Sequence, residues 1–127
     1  MRQLLFIGLG GFCGAILRYL VSGWVQTASR SIDFPYGTLA VNALGCLAIG
    51  VLSQVVASRG LFSPDVRALI FIGVLGAFTT FSTFSNETMN LIYEGNHLAA
   101  LANIGLQVSL CLGAAWGGHV LAYQIWR

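Results

Sequence analysis

One ten-residue stretch, residues 76–85, concentrates the side chains of this chain that are suited to binding an ion. It carries five hydroxyl side chains, three phenylalanines and one glycine, within a long apolar segment. Polar groups are tolerated at membrane depth only where they are buried in protein or line a pathway. The edges of aromatic rings are electropositive, so they can face an anion without supplying a charge that would trap it. The stretch therefore predicts a functional site inside a membrane.

The spacing within this stretch predicts two opposed faces on a helix. The polar residues recur at the i, i+3, i+4, i+7 spacing of one helical stripe: Thr79, Ser82, Thr83 and Asn86. The rings recur every three residues on roughly the opposite arc: Phe78, Phe81 and Phe84. Ordinary packing is the alternative interpretation of the rings. β-Branched and hydroxyl residues weaken helix geometry, so we expect a break near residues 76–82, which would free backbone carbonyls to hold a cation.

Other polar residues also lie in the apolar segments, and three of them, Arg18, Asn42 and Glu87, each have two interpretations. Arg18 either snorkels to the interface or lies at the mouth of an anion path, since a charge at bilayer depth costs at least ~2.5 kcal/mol. Thr38 and Asn42 are four residues apart, hence on one helix face, and the Asn42 amide either links helices or solvates an anion. Glu87 is either an interfacial carboxylate or a vestibule residue. In the fourth apolar segment, Asn103, Gln107 and Cys111 share one face.

The composition is that of an integral membrane protein. Of the 127 residues, 57% are hydrophobic and 8% charged, and the mean hydropathy is +0.81, whereas soluble domains are about one quarter charged. A net charge of +2 from scattered arginines argues against a nucleic-acid partner. Cys13, Cys46 and Cys111 lie in different apolar segments without a CxxC spacing, so we expect packing residues rather than a metal or redox site.

Four segments are long enough to span a bilayer, which takes about 20 mostly apolar residues. They are approximately residues 3–25, 36–57, 67–93 and 97–124. We therefore predict an all-α membrane protein with one domain, residues 1–127, and both termini on the same side. We expect no enzyme, because no nucleophile and base share a plausible site.

The arginines give only a weak preference for orientation, and the chain is small. The side with the termini holds Arg2, Arg59, Arg67 and Arg127. The other side holds Arg30, and also Arg18 if it snorkels that way. Since orientation follows an excess of Lys and Arg in cytoplasmic loops, this distribution is compatible with insertion in both orientations. Four short-looped helices fill their own centre, so a pathway would need more than one copy of the chain.

Three motifs resemble the Fluc (CrcB) family of fluoride channels, and the resemblance runs from end to end. They are residues 14–19 (GAILRY), residues 35–42 (PYGTLAVN), and residues 76–85 (GAFTTFSTFS) with Glu87. The resemblance implies an antiparallel, dual-topology homodimer in the bacterial inner membrane, with two fluoride pores and one structural, untransported Na⁺. The implied role is passive export of toxic cytoplasmic fluoride.

The resemblance also implies roles for individual residues. Phe81 and Phe84 would line the fluoride sites with their ring edges, beside Asn42. Gly76 and Thr79 would present backbone carbonyls to Na⁺. The remaining implied residues are Thr38, Ser82 and Thr83 on the polar track, and Arg18 and Glu87 near a vestibule.

The chain departs from the family pattern at a few positions. Ala77 stands where many members have a second glycine, and Gln107 and Cys111 stand where relatives carry Tyr or His and then Ser. Two other functions compete with the channel. A small dual-topology multidrug exporter would need a membrane carboxylate, and here the first span has no acid. A non-transporting membrane helper would use the hydroxyl groups only to join helices.

Overall fold

The part of the chain described by the computed structural model, residues 1–126, is built from helices. Its four helical segments are long and apolar enough to cross a membrane: Arg2–Ser29, Tyr36–Arg59, Pro64–Tyr93 and His97–Ile125. Each predicted span lies within one of them, so the all-helical, four-span prediction is confirmed. Arg127, one of the arginines used for the orientation count, lies outside the described residues. We label the first two helices α1 (Arg2–Ser29) and α2 (Tyr36–Arg59) and the last α6 (His97–Ile125).

The third span consists of several pieces. They are α3 (Pro64–Arg67), a π-helical segment (Ala68–Leu75), α4 (Gly76–Phe78) and α5 (Phe81–Tyr93). Between α4 and α5, Thr79 (φ −105°, ψ 123°) and Thr80 (φ −130°, ψ 107°) have extended backbones. Thr80 is the N-cap of α5, and its hydroxyl oxygen accepts the Thr83 N–H at 3.2 Å. This cap satisfies one of the amides left without a partner where a helix begins.

Side-chain hydrogen bonds cap the beginnings of two helices, and an ion pair connects α1 with α3. Ser63 caps α3 by accepting the Val66 N–H, and Asn96 caps α6 by accepting the Ala99 N–H at 3.3 Å. At the start of the chain, Arg2 pairs with Asp65 in the first turn of α3. The beginnings of α1 and of the third span therefore lie on the same side of the bundle.

Glycines allow α1 to approach the third span closely. A Cβ atom on Gly10 would collide with the backbone oxygen of Leu69, and one on Gly14 with that of Val74. Gly10 and Gly14 make contacts within the chain, whereas a Cβ atom on Gly11 would meet nothing within 4 Å.

Glycines also allow α2 and α6 to pack closely against each other. A Cβ atom on Gly50 would collide with the backbone oxygen of Ala115, and one on Gly118 with that of Leu47. Because α2 and α6 both follow a connection on the same side, they run parallel. In contrast, Gly113 in α6 has open space around it within the chain.

Replacing Gly14 with valine is expected to destabilise the protein strongly, because the new side chain would meet backbone that cannot rotate away. Overpacking typically costs about 1–3 kcal/mol. Gly11→Val is the matched control, and we expect it to change stability by less than about 0.5 kcal/mol, as surface substitutions do. Thermal unfolding of both purified variants in detergent would check this. Equal midpoints for the two variants would contradict the packing assigned to α1.

Candidate functional site

The side chain of Asn42 holds the extended segment of the third span in place. It is only 8% exposed, and its Oδ1 accepts the Thr80 N–H at 2.7 Å. Its Nδ2 donates to the Thr80 carbonyl at 3.2 Å and to Gln107 Oε1 at 3.1 Å. Asn42 therefore links α2, the interrupted third span and α6, which is the helix-linking role considered from the sequence. Both amide hydrogens of Asn42 are used in these bonds.

The side chain of Gln107, which accepts a hydrogen bond from Asn42, also carries a hydrogen-bond donor without a partner. Its side chain is buried, and its Nε2 has no hydrogen-bond partner. A buried N–H group without a partner is costly, so this amide is a candidate for binding an acceptor that enters the site. Gln107 is absent from the residues predicted for the pore.

Two phenylalanines lie beside this amide cluster. The rings of Phe81 and Phe84 are 5.3 Å apart between centroids at an interplanar angle of 63°, an edge-to-face arrangement. Phe84 is 9% exposed and Phe81 is 78% exposed. Both line a cavity of about 440 Å³ that also reaches Asn42, Thr79 and Gln107. We call it the phenylalanine cavity.

A second cavity, of about 500 Å³, lies next to it on the side of the α1–α2 connection. Its lining includes Arg18, Thr38, Thr80 and Thr83, and we call it the arginine cavity. The structure thus places Arg18 next to hydroxyl groups of α2 and the third span.

A third cavity, of about 300 Å³, lies beside the α1–α2 connection and is called the loop cavity. Three carboxylates line it: Asp33, Glu87 and Glu94. Glu87 Oε1 accepts the Thr38 hydroxyl at 2.6 Å, while its Oε2 is buried without a partner. Glu87 and Thr38 are therefore hydrogen-bonded although they are far apart in sequence.

The three cavities share lining residues and so form a series. Thr38 lines both the loop cavity and the arginine cavity. Thr80 lines both the arginine cavity and the phenylalanine cavity. The series leads from the α1–α2 connection to the interruption of the third span.

The hydroxyl stripe differs from its predicted form. Because the helix is interrupted, the stripe begins at Ser82 rather than at Thr79. Ser82 and Thr83 are exposed on the first turn of α5, and the Thr80 hydroxyl donates to the Thr83 hydroxyl oxygen at 2.9 Å. Thr79 precedes the interruption and its hydroxyl donates back to the Leu75 carbonyl at 3.1 Å.

Two backbone carbonyls at the interruption lack their usual helical donors. In a continuous helix, the Gly76 and Thr79 carbonyls would accept the amides four residues later. Those amides are directed elsewhere, because Thr80 N–H donates to Asn42 and Thr83 N–H donates to the Thr80 hydroxyl oxygen. Within residues 1–126, no group of three or more His, Cys, Asp or Glu side chains could hold a metal ion. Carbonyl oxygens are the type of ligand that a hard cation prefers.

Thr80 and Gln107 are the two residues of this site that the sequence reasoning missed. A signal for Thr80 was present, since Thr80 and Thr83 have the spacing of a helix cap. For Gln107, helical spacing showed only that it shares a face with Asn103. Its unpaired amide depends on Asn42, which lies on a different helix.

Comparisons with known proteins identify the family. A sequence model of the family described as CrcB-like protein, Camphor Resistance (CrcB), matches residues 5–119. A fluoride-specific ion channel FluC from Shewanella baltica (strain OS185) is 46% identical over 124 residues, which is 98% of each chain. Proteins of the same name from Shewanella sp. strains ANA-3 and W3-18-1 are 46% and 44% identical over the same length. The chain therefore belongs to the Fluc (CrcB) family.

Proposed function

We propose that this chain forms a fluoride-selective ion channel that lets cytoplasmic fluoride leave the cell passively and so relieves its toxicity. The observation that carries the proposal is the series of three cavities, with Arg18, hydroxyl groups and amides in their walls, that ends at an edge-to-face phenylalanine pair in the middle of an apolar bundle. The names of the relatives, fluoride-specific ion channels, support the choice of ion. Because these relatives are ion channels, no enzymatic activity is proposed.

The chemistry of the series suits a small anion that must lose most of its water. Arg18 attracts the anion past the carboxylates of the loop cavity. Thr83 lines the arginine cavity, and its hydroxyl can replace part of the hydration shell by donating a hydrogen bond. Ser82 lies on the same exposed turn, whereas the Thr38 hydroxyl already donates to Glu87 Oε1. None of these donors except Arg18 carries a charge, so the anion is bound without being trapped.

At the phenylalanine cavity, the anion meets ring edges and one free amide. The edges of Phe81 and Phe84 present positive potential, and the unpaired Nε2 of Gln107 can donate a hydrogen bond. Asn42 orients that amide by donating to Gln107 Oε1.

The working unit is proposed to be an antiparallel homodimer, inserted in both orientations in the bacterial inner membrane. Phe81 supports this, since a large aromatic side chain of the proposed pore is 78% exposed on the single chain. A second copy would cover that ring and complete the walls of the phenylalanine cavity. A purified protein in lipid nanodiscs with the mass of a single chain would contradict it.

A structural sodium ion is proposed at the interruption of the third span. The residues fit such an ion, because the Gly76 and Thr79 carbonyls have lost their helical donors and a neighbouring copy would add two more. The bound ion would supply a fixed positive charge near the pore without being transported. Fluoride flux that is unchanged when sodium is replaced on both sides by a large organic cation would overturn this part of the proposal.

Reconstitution into liposomes tests the proposed function directly. Vesicles loaded with potassium fluoride are treated with a potassium ionophore, and external fluoride is recorded with an electrode. Rapid fluoride efflux, together with no chloride efflux from matched potassium chloride vesicles, would support the channel. Absence of flux would favour the membrane helper, and a pH-driven exchange of organic cations would favour the exporter.

A further inference from the structure

Helices α2 and α6 pack in a constant register. Asn42 in α2 donates to Gln107 in α6, a pair separated by 65 positions in sequence. Two turns further along, a Cβ atom on Gly50 would collide with the backbone oxygen of Ala115, a pair with the same separation. Since the two helices run parallel, the residues between these two contacts are paired with the same offset.

Cys46 and Cys111 occupy the position midway between those contacts. Each lies one helical turn beyond a member of the Asn42–Gln107 pair, so the register places the two thiols opposite one another. The Cys111 sulfur lies 3.8 Å from Gln107 Oε1. Both cysteines are free thiols, neither is fully buried, and both line the phenylalanine cavity. Two thiols that share a cavity constitute a potential chelating site.

We propose that Cys46 and Cys111 form a two-coordinate binding site for a soft, thiophilic d¹⁰ cation of the Hg²⁺ class. Thiolate sulfur selects soft metal ions, and two opposed sulfurs match the linear geometry that such an ion accepts. The site goes beyond the proposed fluoride transport and does not depend on it.

The binding reaction balances without an oxidant or reductant. With HgCl₂ as the source, two S–Hg bonds form while two Hg–Cl bonds break. Each thiol loses its proton, and two protons and two chloride ions leave to solvent, as expected when a metal displaces protons from its ligands. The product, two thiolates with one divalent cation, is neutral. Neutrality matters because an uncompensated charge is costly away from water. A metal ion with four preferred ligands, such as Zn²⁺, would find only these two sulfurs.

An occupied site would also obstruct the cavity. The cation would tie α2 to α6 in the cavity that Phe81 and Phe84 line, one helical turn from the Gln107 amide. The bound cation would occupy the space beside the Gln107 amide that the proposed anion would use. We therefore expect Hg²⁺ to stop ion movement through a chain that carries both thiols.

The experiment uses a Cys13→Ala background, because Cys13 is an exposed thiol elsewhere on α1. One equivalent of HgCl₂ is added to the purified, detergent-solubilised full-length protein, and X-ray absorption at the mercury edge counts the sulfur neighbours. Two sulfurs per mercury and the release of two protons per mercury are the expected results. Cys46→Ser and Cys111→Ser in the same background should each give one sulfur and a mercury affinity lower by about 100-fold or more, since even outer-shell partners affect metal affinity up to about 100-fold.

Several results would contradict the proposed two-thiol site. One sulfur per mercury in the Cys13→Ala protein, or equal affinity in the serine variants, would overturn the paired site. If one serine variant does not fold, the other variant and the sulfur count of the Cys13→Ala protein still show whether both thiols bind one mercury ion. These readouts do not involve fluoride, so their failure is distinguishable from failure of the channel function. In liposomes, Hg²⁺ block of the Cys13→Ala protein that persists in both serine variants would contradict the obstruction.

Discussion

Replacing Asn42 with aspartate is expected to abolish fluoride conduction. The carboxylate would keep one acceptor for the Thr80 N–H but lose both donors, leaving the Thr80 and Gln107 oxygens facing a negative charge. Two like unit charges about 4 Å apart repel by about 4 kcal/mol at the effective dielectric of a partly buried site. That repulsion corresponds to a reduction of flux of about 1000-fold. Fluoride efflux from liposomes, normalised to monodisperse protein, measures it.

Asn96→Asp is the matched control for this substitution. Asn96 caps α6 through its side-chain oxygen, and an aspartate there can accept the same hydrogen bond, as N-cap preferences show. We expect flux and unfolding temperature to stay near those of the unsubstituted protein. If Asn42→Asp folds and conducts at the normal rate, Asn42 serves only to link the helices, and the anion does not pass close to it.

Replacing Phe84 or Phe81 with isoleucine is expected to reduce fluoride flux while leaving the protein folded. Isoleucine fills part of the ring volume but has no electropositive edge. Aromatic edge interactions contribute about 0.5–1.5 kcal/mol, so we expect a reduction of up to about tenfold for each variant. The double variant should lose more. Flux assays on protein with an unchanged elution volume measure the effect separately from assembly.

Phe12→Ile provides the control for the phenylalanine variants. Phe12 is 67% exposed on α1, comparable with Phe81, and it lies outside all three cavities of the series. Its replacement should leave flux unchanged. Normal flux in both Phe81→Ile and Phe84→Ile would remove the ring-edge mechanism and leave the rings as ordinary packing.

Much of the fold was predictable from local patterns. The four spans follow from runs of apolar residues, because a backbone in lipid must satisfy its own hydrogen bonds within each helix. Capping is local in the same way, since the side chains of Ser63 and Asn96 accept amides three residues further along the chain. The hydroxyl-rich stretch of residues 76–85 was recognisable as a candidate site for the same reason: its polarity conflicts with its apolar surroundings.

Partners that lie far apart in the chain were not predictable in this way. Gly10, Gly11 and Gly14 are alike in sequence, yet two of them contact the third span and one faces open space within the chain. The difference depends on how two whole helices cross, and a single residue type carries no information about that angle. The Thr38–Glu87 hydrogen bond is of the same kind, since it joins residues 49 positions apart.

The sequence by itself determined that this is a four-span membrane protein with its candidate site in the third span, because hydrophobicity and helix capping are local properties. Only the tertiary structure decided what that site contains. It joined Asn42 to Thr80 and Gln107, left one Gln107 donor free, and placed Cys46 and Cys111 in the same cavity. The physical reason is the register between α2 and α6, which is set by close packing at Gly50 and Gly118. A register between two helices is a property of neither sequence segment alone.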